Sequence, residues 1–134
     1  MIFLFDTNVL SEGIKPNPDP KVLDFSRKVP AENMRISSVV LGEIALGVEN
    51  NPTPDLKAFL ADVRAMPIAE FGEAEALEWG RMVNAALKAG YSVMARDSMI
   101  AATALVRGWT VATHNKEDFS KLGVPVFDPW TDKL

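Results

Sequence analysis

The 134 residues contain no cysteine and a single histidine, His114. Disulfides and thiolate metal sites are therefore excluded, and a nitrogen-rich zinc site cannot be assembled. The absence of cysteine fits a reducing compartment, and a cytoplasmic location is expected. No apolar run approaches the roughly 18 residues of a membrane span. The first apolar run, Ile2-Phe3-Leu4-Phe5, has no basic stretch before it and is too short for a signal peptide. Walker and dinucleotide glycine motifs are missing, and Gly42 and Gly47 read as close helix packing. Positive charge is also scarce. Fourteen Lys+Arg against 18 Asp+Glu leave a net −4, which argues weakly against indiscriminate nucleic-acid binding.

Hydrophobic residues make up 48% of the chain and charged residues 24%. That ordinary balance, at this length, predicts one globular domain spanning 1–134 with a real core. Short apolar runs at Ile2–Phe5, Met34–Ser37, Thr110–Thr113 and Val124–Phe127 read as strands, with Met66–Ala69 a short edge strand. Helical spacing lies between them. The segments are a short helix over Val9–Glu12, then a face of Val22, Leu23, Phe25 and Val29, then Val39–Val48 capped by Ser37 or Ser38. Leu56, Phe59, Leu60 and Val63 mark a further helix, followed by Glu73–Ala89, Arg96–Val106 and a short one capped by Asn115. Along Glu73–Ala89 the apolar stripe is Ala76, Leu77, Gly80, Val83, Asn84 and Leu87. The three prolines of Lys15–Pro20 predict an extended loop. Strands alternating with helices imply an α/β domain with a mainly parallel central sheet of four or five short strands.

Three carboxylates fall in apolar surroundings. Asp6 ends the first strand, Glu43 interrupts Val39–Leu46, and Asp97 opens Asp97-Ser98-Met99-Ile100-Ala101-Ala102. An isolated buried carboxylate costs several kcal/mol or takes up a proton. The helix dipole returns only about 0.3–1 kcal/mol to Asp97. Helical spacing puts Glu43 beside Val39, Val40, Leu46 and Gly47, an apolar face that predicts it points toward the core. Three such costs in separate segments predict that the acids gather around a divalent cation. Mg²⁺ or Mn²⁺ suits an all-oxygen donor set. The metal would activate a water for phosphodiester hydrolysis. Asp6 and Thr113-His114-Asn115, with Asp118 one turn on, open on the carboxyl edge of the sheet, where α/β sites lie. Thr7 and Thr113 have hydroxyls able to position a ligand.

Each acid alone has a plainer reading. Asp6 suits a turn, Asp97 a helix N-terminus, Asp118 a solvated acid, and Glu43 suits a pair with an arginine such as Arg96. His114 reads as a loop residue, and Trp79, Trp109 and Trp130 as packing residues. Arg81, Lys88, Arg96 and Arg107 lie in a stretch whose only acid is Asp97, either as solvated helix faces or as a substrate-facing rim.

In order along the chain, Phe5-Asp6-Thr7-Asn8-Val9-Leu10-Ser11-Glu12, Ser37-Ser38-Val39-Val40-Leu41-Gly42-Glu43, Asp97-Ser98-Met99-Ile100-Ala101-Ala102-Thr103-Ala104 and Thr113-His114-Asn115-Lys116-Glu117-Asp118-Phe119 resemble the PIN-domain family. Pro129-Trp130 is similar to its VapC/FitB-type toxins of type II toxin–antitoxin pairs. The resemblance implies a three-layer α/β/α domain and a Mg²⁺- or Mn²⁺-dependent ribonuclease. It carries over Asp6, Glu43 and Asp97 as catalytic, metal-holding acids and Asp118 as the more variable fourth. Thr7, Asn8, Thr113 and Asn115 become supporting polar residues. It also implies a homodimer, a small VapB/FitA-like antitoxin over the acid pocket in a hetero-octamer-type assembly, and DNA contact only through that partner. Arg96, directly before Asp97, departs from the pattern and faces substrate, partner or solvent. A weakly catalytic partner in transcriptional autoregulation is the alternative reading. A third is a phosphatase with Asp6 as nucleophile.

Overall fold

A computed structural model describes residues 1–134. Five strands form one parallel sheet in the order β3-β2-β1-β4-β5: β1 Phe3–Phe5, β2 Met34–Ser37, β3 Ile68–Ala69, β4 Thr110–Ala112 and β5 Val126–Phe127. β1 is central and all three of its residues are buried, as expected of a strand covered on both faces. Leu4 pairs with Arg35 on one side and Val111 on the other.

Seven helices connect the strands: α1 Thr7–Glu12, α2 Pro20–Lys28, α3 Ser38–Asn50, α4 Pro54–Arg64, α5 Glu73–Lys88, α6 Ala95–Arg107 and α7 Lys116–Ser120. Right-handed crossovers place α1–α4 on one face and α5–α7 on the other. The packing of α1 on α2 and α3, of α3 on α4, of α5 on α6 and of α6 on α7 agrees, and α3 of the first group also meets α6 of the second. Phe25 of α2 seals the first face by stacking on Phe5 and Phe127 and meeting Phe3 edge-on. No helix is long and apolar enough to cross a membrane.

Local chemistry sets the helix ends. Ser37 caps α3 by accepting the Val40 N–H at 3.0 Å, so of the two serines it is Ser37 that serves. Gly108 closes α6 in the left-handed region, at φ 71°. The proline loop is shorter than expected. Asp19 caps α2 and Pro20 is its first residue, a position where a missing N–H costs nothing.

The structure gives the direction of the α5 stripe. Its buried residues are Glu75, Met82 and Ala86, while Leu77 and Leu87 are 72% and 58% exposed. The apolar stripe faces outward and a neighbouring stripe of the helix packs on α6.

Candidate active site

The strand order reverses at β1: β2 and β3 lie on one side of it, β4 and β5 on the other. Parallel sheets open a crevice at such a switch, beyond the carboxyl ends of the strands. Asp6 and Thr113 stand at that point. Asp6 is fully buried, caps α1 by accepting the Thr7 N–H at 2.7 Å, and accepts the Thr113 hydroxyl at 2.7 Å through Oδ2. Its own N–H bonds the Ala112 carbonyl at 2.9 Å, which extends the strand pairing to the carboxylate's doorstep.

Glu43 arrives from α3. The core face of that helix is Val40, Ile44 and Val48, so the expectation that Glu43 points into the core is corrected. Leu46 is 70% exposed and the Glu43 side chain stands at the helix margin, where it accepts the Thr7 hydroxyl. Asp97 comes from the first turn of α6 and is nearly buried. α6 packs on α3 and β4, which brings its N-terminal turn to the crevice.

One cation holds the three acids together. Arg96 donates from Nε to Glu43 Oε2 at 2.5 Å, from Nη1 to Asp97 Oδ1 at 2.7 Å, and from Nη2 to Asp6 Oδ1 at 2.5 Å. The same Nη2 reaches Glu43 Oε1 at 2.8 Å and the Thr7 hydroxyl at 3.2 Å. The pairing of Glu43 with Arg96, one of the plainer readings of the sequence, is therefore present, and it includes both aspartates as well. With the guanidinium between them, no three acids are spaced to share a metal ion as the side chains stand.

The electrostatics follow from this seat. The Arg96 hydrogen bond holds the Glu43 carboxyl below its ordinary value against the opposing effect of burial, and Thr7 assists. Burial pushes Asp97 up despite Arg96, and the charges of Asp6 and Asp118 add to the rise. For Arg96, burial opposes the charge, but Glu43 and Asp6 outweigh it and raise its pKa further.

The supporting polar residues divide. Thr7 and Thr113 spend their hydroxyls on carboxylates and so orient Glu43 and Asp6. Asn8 spans the crevice: its amide nitrogen lies 3.4 Å from the Thr113 hydroxyl and 3.5 Å from Asp6 Oδ2, and its oxygen accepts the His114 N–H at 3.2 Å. Asn115 joins through its backbone N–H to Thr113 at 3.0 Å. Its exposed side chain makes no capping bond to α7, contrary to expectation. Asp118 is exposed on α7 and close enough to act on Asp97 through its charge. His114 is a half-exposed loop residue whose ring is tilted by 40° against Trp130, with centroids 4.3 Å apart. Trp79 bonds Ser98 and packs against the core, and Trp109 lies beside Arg35 and Arg107. The basic residues between 81 and 107 form no common rim, since Arg81 pairs with Glu78 and Arg107 with Glu75.

Sequence reasoning passed over other buried acids: Glu12, Glu75 and Asp128. Each has a partner close by in the chain. Glu12 accepts the Asp19 N–H and pairs with Lys15, Glu75 accepts the Gly72 N–H, and Asp128 accepts the Trp130 N–H. Burial of a carboxylate alone is thus no mark of a site here. The distinguishing feature of Asp6, Glu43 and Asp97 is that separate elements send them to one shared cation. A cavity of about 690 Å³ lies elsewhere, lined by Phe25, Lys28, Phe127 and Trp130 among others and by none of the three acids.

The PIN domain family matches residues 3–125. The chain is 31% identical to Toxin FitB of Neisseria gonorrhoeae over 139 residues, covering 98% of this chain and 100% of that one. It is 26% identical to VapC ribonuclease Y4jK of Sinorhizobium fredii over 137 residues, with coverage of 96% and 98%. The solved structure of FitAB bound to an IR36 DNA fragment superposes with a TM-score of 0.88 at 29% identity, over 99% of both chains.

Proposed function

The chain belongs to the PIN-domain family, and on that footing we propose that it is a divalent-metal-dependent endoribonuclease, the toxin of a type II toxin–antitoxin pair. The observation that carries the reading is the convergence of Asp6, Glu43 and Asp97 on one cationic group at the switch point of the sheet. The Arg96 guanidinium, a cation seated among the three acids, supports a shared metal ion there. The donors are carboxylate oxygens throughout, which suits Mg²⁺ or Mn²⁺. Asp6, Glu43 and Asp97 are the holders, with Asp118 at the outer side for a second ion or its water. When bound, the ion lowers the pKa of a coordinated water and offsets charge on the scissile phosphate.

The chain's own residues do the positioning. Thr113 and the Thr7 N–H fix the Asp6 carboxylate, and the Thr7 hydroxyl fixes Glu43. Asn8 ties the β1 edge to the His114 loop, so both walls of the crevice keep one spacing. Relatives include proteins named ribonuclease VapC, which favours RNA as the substrate. FitAB has been solved on DNA, which favours an antitoxin partner through which this chain reaches DNA; the assembly proposed is homodimer-based and of hetero-octamer type. Location in the cytoplasm, and one domain over 1–134, complete the proposal.

The test is RNA cleavage by the purified chain with Mg²⁺ or Mn²⁺, against chelator and against Asp6→Asn. Turnover that needs the ion and disappears in a folded Asp6→Asn protein is expected. Undiminished cleavage by Asp6→Asn rejects the assignment. The autoregulatory reading is favoured by the seat of Arg96, which leaves the acids engaged. It predicts partner binding that is indifferent to chelator, with no turnover.

A further inference from the structure

We propose that Arg96 is an intramolecular competitor of the divalent ion, so that its displacement sets how much metal the site requires. The inference rests on the metal reading above and extends it to a residue that holds no metal.

The hydrogen bonds leave little room for both cations. All three guanidinium nitrogens of Arg96 are engaged. On the acceptor side, Asp6 Oδ1, both Glu43 oxygens and Asp97 Oδ1 bond Arg96, while Asp6 Oδ2 accepts the Thr113 hydroxyl. Of the six carboxylate oxygens, only Asp97 Oδ2 makes no hydrogen bond. An ion that contacts all three acids at about 2.0–2.1 Å needs a Glu43 oxygen, and Arg96 holds both. It would also face a positive charge across the same few ångströms, in a partly buried place where screening is poor.

The competitor is free to leave without unfolding anything. Arg96 stands in the first turn of α6, and its side chain is 26% exposed while Asp6 is fully covered. Side-chain rotation toward solvent releases it with the backbone in place. The helix end does not hold it there, because the dipole at an N-terminus disfavours a cation. Arg107 is different: its guanidinium is spread over the Thr103 and Glu70 carbonyls, Glu75 and Trp109, with no acid cup to vacate.

A site open in only a fraction of molecules binds its ligand more weakly by that fraction. If Arg96 keeps the cup closed in most of the metal-free protein, Arg96→Ala binds Mn²⁺ about tenfold more tightly or better. Arg96→Lys, whose single ammonium cannot fork across three acids, falls between the two. Titration calorimetry of the full chain with Mn²⁺ reads these affinities. NMR of the unsubstituted protein adds a readout independent of any variant. The Arg96 Nε–H should be protected from solvent exchange without metal and lose that protection as Mg²⁺ is added.

Tighter binding by Arg96→Ala together with release of the Nε–H supports competition. Equal affinities, or an Nε–H unchanged while Mg²⁺ binds, overturn it and leave the metal reading standing. If neither the unsubstituted chain nor Arg96→Ala binds either ion, the metal reading itself falls and the competition with it. Should Arg96→Ala not fold, the NMR titration of the unsubstituted chain decides.

Discussion

Glu43 and Asp97 share one guanidinium yet are shifted in opposite directions, and the difference is solvent. Arg96 dominates at Glu43, whose side chain is 38% exposed, whereas burial dominates at Asp97. The linkage has opposite signs. Glu43 is lowered in the folded state, so it contributes stability above its unfolded value of 4.5 and loses it as the pH falls through the folded value. Asp97 is raised, so folding is favoured below its unfolded value of 3.8 and loses that advantage as the pH rises through the folded value. Glu43→Gln should therefore destabilise the protein at pH 7 by about 0.5–1 kcal/mol after solvent screening, and by less at pH 3. Asp97→Asn should hold or slightly raise stability at pH 7, by less than about 1 kcal/mol, while abolishing metal-dependent cleavage. Denaturant titrations at the two pH values check both. A loss of stability in Asp97→Asn at pH 7 as large as in Glu43→Gln counts against this account of the cup. The sequence exposes Asp97 beside Arg96, but not the direction of the Arg96 side chain. That direction depends on where α1, α3 and α6 meet, which local spacing does not encode.

At the scale of elements, the three acids inherit their positions from helix starts. Asp6 caps α1, Ser37 caps α3 ahead of Glu43, and Asp97 lies in the first turn of α6. Ser37→Ala removes one capping bond beneath Val40 and should cost about 1 kcal/mol. Because the same turn leads to Glu43, metal affinity should weaken modestly as well. Urea unfolding and Mn²⁺ titration of the one variant report the two effects, and an unchanged unfolding midpoint contradicts the role assigned to the cap. Strand β1 is legible in the sequence because a continuous apolar run ends at polar turn residues, and β2 and β4 are short segments bounded by turn and cap residues. Ser37, Gly108 and Asn115 stand at the helix ends that the sequence assigns them, although Asn115 makes no side-chain capping bond. One reading fails at this scale. Pro20 was assigned to the loop, although proline is well suited to a first helical position. On α5 the apolar stripe is visible in the sequence but its direction is not, and the structure turns Leu77 and Leu87 outward.

For the whole molecule, that outward stripe bears on assembly. A family-like homodimer would give the exposed α5 leucines a place to be buried, and burying apolar area is the main source of association energy. Leu77→Asp should then weaken self-association by roughly tenfold or more, with little effect on the monomer fold, since the residue is 72% exposed. Sedimentation equilibrium measures this, and an unchanged dimer constant removes α5 from the interface. The parallel sheet and the order of the acid motifs were readable from sequence because each motif follows its own strand or opens its own helix. Strand order was not readable, and it is strand order that puts the crevice between β1 and β4.

The most direct measurement is anomalous diffraction from a crystal of the chain soaked in Mn²⁺. The account predicts a manganese peak bounded by Asp6, Glu43 and Asp97, with the Arg96 side chain turned out to solvent. An empty cup at saturating Mn²⁺, with Arg96 still bonded to all three acids, would contradict it.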